Sequence, residues 1–166
     1  LGIEPRGLGI ADAAMLPADY RPTEGSIIIE AETPAAEGSV KGKIMEKIGA
    51  SGGVAHCVWD TDGQWAEWEF EVAQGGRFQL LIRGAGEHDR VMRLLELDGK
   101  PVVAGGGVVR MKSTGGWCRT TDDWRYFRVN GPDGKPAVVS LEPGKHRLRL
   151  ERLGNSMNLD LLAWEP

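Results

Sequence analysis

The chain has 166 residues, of which 41% are apolar and 27% charged, and this length fits one domain with a full core. Its 24 acidic and 20 basic residues give a net charge of −4, without the basic excess that nucleic acid partners require. No apolar run approaches the roughly 18 residues of a membrane helix, so we expect no membrane partner. The 24 glycines and 9 prolines favour many turns over long helices.

The first 25 residues differ from the rest of the chain. They hold three prolines and four glycines, and their apolar spacing keeps no period for long. We interpret residues 1–25 as an N-terminal tail or a linker from a preceding domain, with a short helix around Ile10–Met15. The sequence does not begin with Met and shows no signal-peptide pattern, which is typical of a module excised from a larger protein.

From residue 26 to residue 166 the apolar positions alternate and are interrupted by turn residues. The segment EWEFEV places three apolar residues opposite three glutamates, and RFQLLIR continues the alternation after a Gln-Gly-Gly turn. VMRLLEL ends at Asp-Gly, which is a strong hairpin signal. Further strands follow in RYFRV, AVVSL, HRLRLERL and NLDLLAW. Nine or ten short strands of this kind predict an all-β, antiparallel β-sandwich.

Two carboxylates near the start of the sandwich suggest a metal. Glu30 and Glu32 are two residues apart on a predicted strand, so both side chains project from the face opposite Ile29 and Ala31. Asp160 is a third candidate because the first and last strands of a sandwich are commonly neighbours. A hard cation such as calcium prefers oxygen ligands of this kind. A solvated edge strand is the alternative interpretation.

Two of the six tryptophans stand at borders between strands and loops. Trp59 precedes Asp-Thr-Asp-Gly, and Trp117 follows Ser-Thr-Gly-Gly, whereas Trp68, Trp124 and Trp164 have core positions. Aromatic rings at the mouth of a sandwich can stack on the apolar faces of sugars. Burial of each ring in the core is the alternative.

The cysteines and histidines point to no catalytic or zinc site. Cys57 and Cys118 lack metal-ligand spacing and are either one disulfide, which would imply an oxidising compartment, or two buried thiols. The three histidines are scattered, and no nucleophile elbow, zinc-protease motif or phosphate loop occurs. The acidic pair that a glycosidase needs across a cleft is also missing from the pattern.

Several segments, taken in order, resemble one family. IIIEAE, ASGG, DGQWAEWEFEV, GGRFQLLIR, TGGWCRTTDDW, PGKHRLRL and MNLDLL resemble the carbohydrate-binding modules of families 6 and 35. Those modules are β-sandwiches with a galactose-binding-like jelly-roll topology. The resemblance extends from Ile27 to Trp164, and it is carried by the order and spacing of the segments together.

The resemblance implies two sites. A structural calcium would be held by Glu30, Glu32 and Asp160. A saccharide would lie between Trp59 and Trp117 and be hydrogen-bonded by Asn158, at one end of the sandwich. On this basis we expect that replacing either tryptophan with Ala weakens binding without unfolding the domain.

The implied function is non-catalytic binding of an oligo- or polysaccharide by residues 26–166. The module would target an attached enzyme, the upstream catalytic domain of the same chain, and would be secreted or periplasmic. The alternative is a structural domain that packs against that enzyme and binds no sugar. A free-standing hydrolase is the weakest alternative because no convergent acid and base are visible.

Overall fold

The computed structural model describes residues 9–166. Two β-sheets face each other across one apolar core, and helical structure in this range is limited to one short 3-10 turn, Ser51–Gly53. The strands in chain order are β1 (Ile10–Asp12), β2 (Ala14–Met15), β3 (Ile27–Glu30), β4 (Ala36–Glu37), β5 (Lys43–Glu46), β6 (Val54–Cys57), β7 (Trp65–Val72), β8 (Gly76–Ala85), β9 (Val91–Leu97), β10 (Lys100–Pro101), β11 (Val108–Met111), β12 (Arg125–Arg128), β13 (Val139–Leu141), β14 (Gly144–Gly154) and β15 (Asn158–Glu165).

The strand order confirms the predicted sandwich. The first sheet runs β1-β11-β9-β14-β7-β4, with β10 beside β9. The second runs β2-β12-β8-β15-β6-β5, with β13 beside β8 and β3 beside β15. The paired strands are antiparallel except for β1 and β11, which are parallel. Within the described residues the strands number fifteen rather than nine or ten, because several two- to four-residue strands extend the sheet edges.

Side-chain alternation places the core where the sequence predicts it. In β7 and β8 the inward residues are buried, and so are the corresponding leucines of β14: Trp68, Phe70, Val72, Phe78, Leu80, Ile82, Leu148 and Leu150. The Asp-Gly signal also holds, since Asp98 and Gly99 have φ of 52° and 82° and join β9 to β10 in a tight hairpin.

The segment before residue 26 contributes to both sheets. The short helix expected around Ile10–Met15 is wrong, because those residues form β1 and β2 instead. β1 pairs with β11 and β2 with β12, so that β1 and β2 form the edges of the two sheets and tertiary pairing overrides a weak local preference. Residues 1–8 of the expected tail lie outside the described residues.

The strand β15 lies at the centre of the second sheet and is buried along its whole length. Its inner face joins the main core, and its outer face is covered by Leu16 and Tyr20. The Tyr20 hydroxyl donates a 2.6 Å hydrogen bond to Glu165 at the end of β15. This covered strand gives both candidate sites a rigid base, because Asn158 and Asp160 belong to it.

Candidate functional site

A cavity of about 240 Å³ opens at one end of the sandwich. We call it the end cavity. Its walls come from β5, from the end of β6 and the start of β15, and from the connections that follow β5, β6, β8, β11 and β14. The lining residues are Met45, Lys47, Cys57, Val58, Asp60, His88, Trp117, Arg119, Ser156 and Asn158.

Trp117 lies where the sequence predicts it. Its side chain is partly exposed, lines the end cavity and belongs to none of the buried apolar clusters. The ring meets His88 edge to face at 5.5 Å. A Cβ on Gly86 would stand 3.3 Å from ring atom Cζ3, so the glycine leaves room for the ring. Trp117 is therefore held in place with part of its surface available to a ligand.

Asn158 lines the same cavity, as predicted, and also supports Trp117. The residue begins β15 and is 4% exposed. Its side-chain Nδ2 donates a 3.0 Å hydrogen bond to the backbone carbonyl of Trp117. The structure thus brings together two of the three predicted saccharide residues.

Trp59 does not reach the end cavity. The residue is 1% exposed and belongs to the main core, with its ring 4.9 Å from the ring of His56. The preceding Val58 has φ of 64°, a left-handed conformation that β-branched residues rarely adopt, and the backbone turns there. The expectation that Trp59 forms a second stacking platform at the mouth is therefore wrong.

Positive charge at the end cavity was missed by the sequence interpretation. Lys47 and Arg119 line it together with one carboxylate, Asp60. Both cations also border an adjoining depression of about 520 Å³ next to Gly52 and Gly53. In a sequence, a lysine or arginine in a loop cannot be told from an ordinary solvated charge. The one local signal for a role in the cavity was that Arg119 follows Trp117 by two positions.

The cysteines are two free thiols in the structure rather than a disulfide. Both are buried beside Trp124 in a small apolar cluster, and Cys57 also lines the end cavity. Burial raises the pKa of Cys57 and of Cys118 to about 11, so both are protonated thiols at neutral pH.

The three predicted metal-binding carboxylates lie near one another. β3 pairs with β15, as expected for first and last strands, and the backbone N–H of Ala31 donates to the carbonyl of Asp160. Glu30 Oε2 accepts a 3.0 Å hydrogen bond from the Ser51 hydroxyl. The second oxygens of Glu30 and Glu32, both Oε1, are buried without a hydrogen-bond partner. Burial and the neighbouring carboxylates raise the pKa of Glu32.

Asp160 has a counter-ion that the sequence did not predict. Its Oδ2 accepts a 2.6 Å hydrogen bond from Arg83 Nη1, and its Oδ1 accepts one from the Ser51 backbone N–H at 2.9 Å. Burial nevertheless raises the pKa of Asp160, against the lowering effect of Arg83. Across residues 9–166, no three His, Cys, Asp or Glu side chains are arranged to hold a metal ion.

The fold has known counterparts. A family 35 carbohydrate-binding module from Clostridium thermocellum superposes with a TM-score of 0.63 at 20% identity, covering 84% of this chain and 98% of that one. The C-terminal family 6 module of the laminarinase LamC from Zobellia galactanivorans gives a TM-score of 0.60 at 17% identity, covering 86% and 100%. The chain has the fold of the carbohydrate-binding modules of families 6 and 35. That fold is a β-sandwich of the jelly-roll type, as expected from the sequence.

Another counterpart is a family 35 module in complex with a glucuronic-acid-containing disaccharide, with a TM-score of 0.61 at 21% identity. It covers 84% of this chain and 93% of its own. No family model matches the sequence, and no curated protein matches it either. At these identities the likeness to the family 6 and family 35 modules concerns the fold, and the function must be argued from the site.

Proposed function

We propose that this protein is a non-catalytic module that binds a saccharide in its end cavity. The observation that carries the proposal is the partly exposed Trp117 ring, fixed over a cavity by Asn158 and His88. A ring held in this way can stack on the C–H face of a sugar, and nearby polar groups then orient the hydroxyls. Structures with the same fold include complexes with a glucuronic-acid-containing disaccharide and with cellotriose, which supports a saccharide ligand.

A glycan array tests this proposal directly. The fluorescently labelled protein is applied to neutral and acidic glycans, with and without a chelator. We expect binding to at least one saccharide class, and loss of that signal when soluble saccharide of the same class is added. A protein that is folded and binds none of the glycans would instead be a structural packing domain. The burial of Trp59 favours the structural packing domain, because it removes one of the two expected stacking platforms for a sugar.

The charge at the cavity favours an acidic saccharide. Lys47 and Arg119 outnumber Asp60, and a sugar carboxylate or sulfate beside them would form charge-assisted hydrogen bonds. We expect Lys47→Gln and Arg119→Gln each to weaken binding of a glucuronic-acid-containing disaccharide by about three- to tenfold, and less so at high salt. Titration calorimetry at two salt concentrations measures this.

Lys100→Gln is the matched control for charge. Lys100 is an exposed lysine on β10, which pairs with β9 in the first sheet, and it does not line the end cavity. Unchanged affinity in all three variants, or equal loss for a neutral disaccharide of the same size, would contradict a role of the two cations in recognising an acidic sugar.

The proposal includes attachment to an enzyme. Binding of the module to a polysaccharide would raise the local substrate concentration for an upstream catalytic domain of the same chain. A mannanase from Podospora anserina with a family 35 module shows that this fold occurs beside a catalytic domain; the present chain covers 28% of that protein. Such a role places the protein outside the cell or in the periplasm, where polysaccharides are met, and fractionation of the native host tests this.

We also propose a structural calcium at Glu30 and Glu32. Their unpartnered buried oxygens fit a hard cation, which takes oxygen ligands and would offset the repulsion between the carboxylates. Asp160 would join them by exchanging its contact with Arg83. In that position the ion would tie β3 and the 3-10 turn to β15.

Calcium should then raise the melting temperature by about 5–10 °C over the chelated protein. Burial raises the pKa of Glu32 and of Asp160, so the folded state without metal binds protons more readily than the unfolded chain. Protons therefore compete with calcium as the pH falls, and the gain should be larger near pH 7 than near pH 5. Differential scanning calorimetry measures both.

Glu32→Gln keeps the shape of the side chain and should abolish the calcium effect. Arg83→Met is the complementary variant and should increase the dependence on calcium, because it removes the other cation at Asp160. An unchanged melting curve in excess calcium, with no metal found by elemental analysis, would leave Arg83 as the cation of this cluster and refute the calcium site.

A further inference from the structure

Arg93 is a buried cation near the start of β9. It lies on β9 between Val91 and Leu95, with its side chain among the core residues, and it is 1% exposed. Burial, with a smaller contribution from Arg152, lowers the pKa of its guanidinium to about 9. Burying a charge away from water is costly unless hydrogen bonds compensate it. The partners of Arg93 therefore indicate what it does.

Those partners are backbone carbonyls of the connection between β14 and β15. Arg93 Nη1 donates to the carbonyls of Gly154 at 3.0 Å and Asn155 at 2.9 Å, and also to that of Met92 at 2.9 Å. The guanidinium carbon lies 5.5 Å from the centre of the Trp59 ring. Trp59 and Arg93 together form a buried support under this connection, and Ser156 and Asn158 of the end cavity follow directly from it.

Asn155 carries the support across to a second loop. It has a left-handed φ of 61°, and its Nδ2 donates to the carbonyls of Asp89 at 2.9 Å and Arg90 at 3.3 Å. Those residues belong to the loop between β8 and β9, which also carries His88. Two walls of the end cavity are thus joined through one side chain.

The same loop is joined to the segment that carries Trp117. The Asp89 carboxylate accepts a 3.0 Å hydrogen bond from the Ser113 backbone N–H. The Gly86 carbonyl accepts one from the Thr114 backbone N–H at 2.9 Å. A continuous series of hydrogen bonds therefore runs from the buried guanidinium to the loop of the stacking ring.

We propose that Arg93, acting through Asn155, is a positioning residue that holds the three loops of the end cavity in their binding geometry. The role of Arg93 in saccharide binding rests on the proposed function. The geometric part, that the conformation of the loops depends on Arg93, can be tested without any ligand. Arg93→Met keeps an unbranched apolar side chain in the core and removes the donors to the loop carbonyls, so the loops and the fold can be tested separately.

Amide hydrogen exchange followed by mass spectrometry tests the geometric part. We expect Arg93→Met to speed exchange in residues 86–90 and 153–158 by about tenfold or more, while β7 and β15 beyond residue 160 stay protected. Asn155→Gly should speed exchange mainly in residues 86–90, because glycine tolerates the positive φ and removes only the side-chain hydrogen bonds. Arg93→Lys keeps one charged donor and should give an intermediate result.

Arg77→Met is the matched control, since Arg77 is an exposed arginine at the start of β8, far along the strand from this loop. If Arg93→Met exchanges like Arg77→Met at both loops, the proposal is wrong. If Arg93→Met does not fold, the test uses Arg93→Lys and Asn155→Gly instead. Unchanged loop exchange in both of these variants would overturn the proposal.

A binding measurement separates this inference from the proposed function. With a glucuronic-acid-containing disaccharide as the probe, Arg93→Met and Asn155→Gly should each lose about tenfold or more in affinity while remaining folded. Faster loop exchange with unchanged affinity would contradict the positioning role in binding. Failure of the parent protein to bind any saccharide would remove the proposed function, whereas the exchange result would still decide whether Arg93 holds the loops.

Discussion

Trp117→Ala is expected to abolish most saccharide binding and leave the domain folded. The ring lies outside the buried apolar clusters and lines the end cavity, so its removal takes away stacking area and little of the core. Stacking of one sugar ring on an indole is worth about 2–3 kcal/mol, which corresponds to a loss of roughly 30- to 150-fold in affinity. Titration calorimetry and thermal unfolding, done on the same samples, measure the two effects.

Trp65→Ala is the matched control for this experiment. Trp65 is also partly exposed, but it lies on β7 in the first sheet and does not line the end cavity. The Arg149 guanidinium packs over its ring at 4.2 Å. We expect its variant to bind saccharide as the parent does. If Trp117→Ala unfolds the domain, the Trp117 ring has a packing role. If Trp117→Ala binds saccharide normally while Trp65→Ala does not, the binding site is on the first sheet, at Trp65.

The fold could be predicted because its signals are local. Trp68, Phe70 and Val72 alternate with glutamates over a single strand, and burial of one face requires a second sheet. The two short strands before residue 26 carry no such pattern. Their structure comes from pairing with β11 and β12, which are distant in the sequence, and no local spacing indicates this pairing.

The candidate sites could be predicted in part for the same reason. Asn158 and Trp117 follow recognisable turns and strand ends, and the structure brings them together. The contact between Arg83 and Asp160 joins residues 77 positions apart through the pairing of β8 with β15, and nothing in the sequence near either residue indicates it. Lys47 meets the end cavity only because the connection after β5 folds back towards Trp117.

The burial of Trp59 is the clearest example of a feature that the sequence does not predict. Its position before a turn predicts an exposed ring, whereas the structure has Val58 in a left-handed conformation and the Trp59 ring in the core. Valine disfavours the conformation, so the sequence gives no sign of it. The surrounding structure imposes the turn, and the ring then fills core volume beside His56 and under Arg93.

Trp59→Ala should therefore destabilise the domain strongly, by about 3–5 kcal/mol, because it removes a large ring from a packed core. It also leaves the Arg93 guanidinium without the ring beside it, which adds to the penalty. Trp59→Phe keeps most of the apolar volume and should lose roughly half as much. Urea unfolding followed by far-ultraviolet circular dichroism measures the free energy of unfolding for both variants.

Saccharide binding by the two variants distinguishes a core role from a platform role. Trp59→Phe should bind as the parent does at temperatures where it is folded, since the ring does not reach the end cavity. A Trp59→Ala protein with parental stability and lost binding would restore the two-platform site and contradict the buried position. Weakened binding that tracks the fraction of unfolded protein would instead follow from the core role, because the cavity loops rest on the Trp59 and Arg93 support.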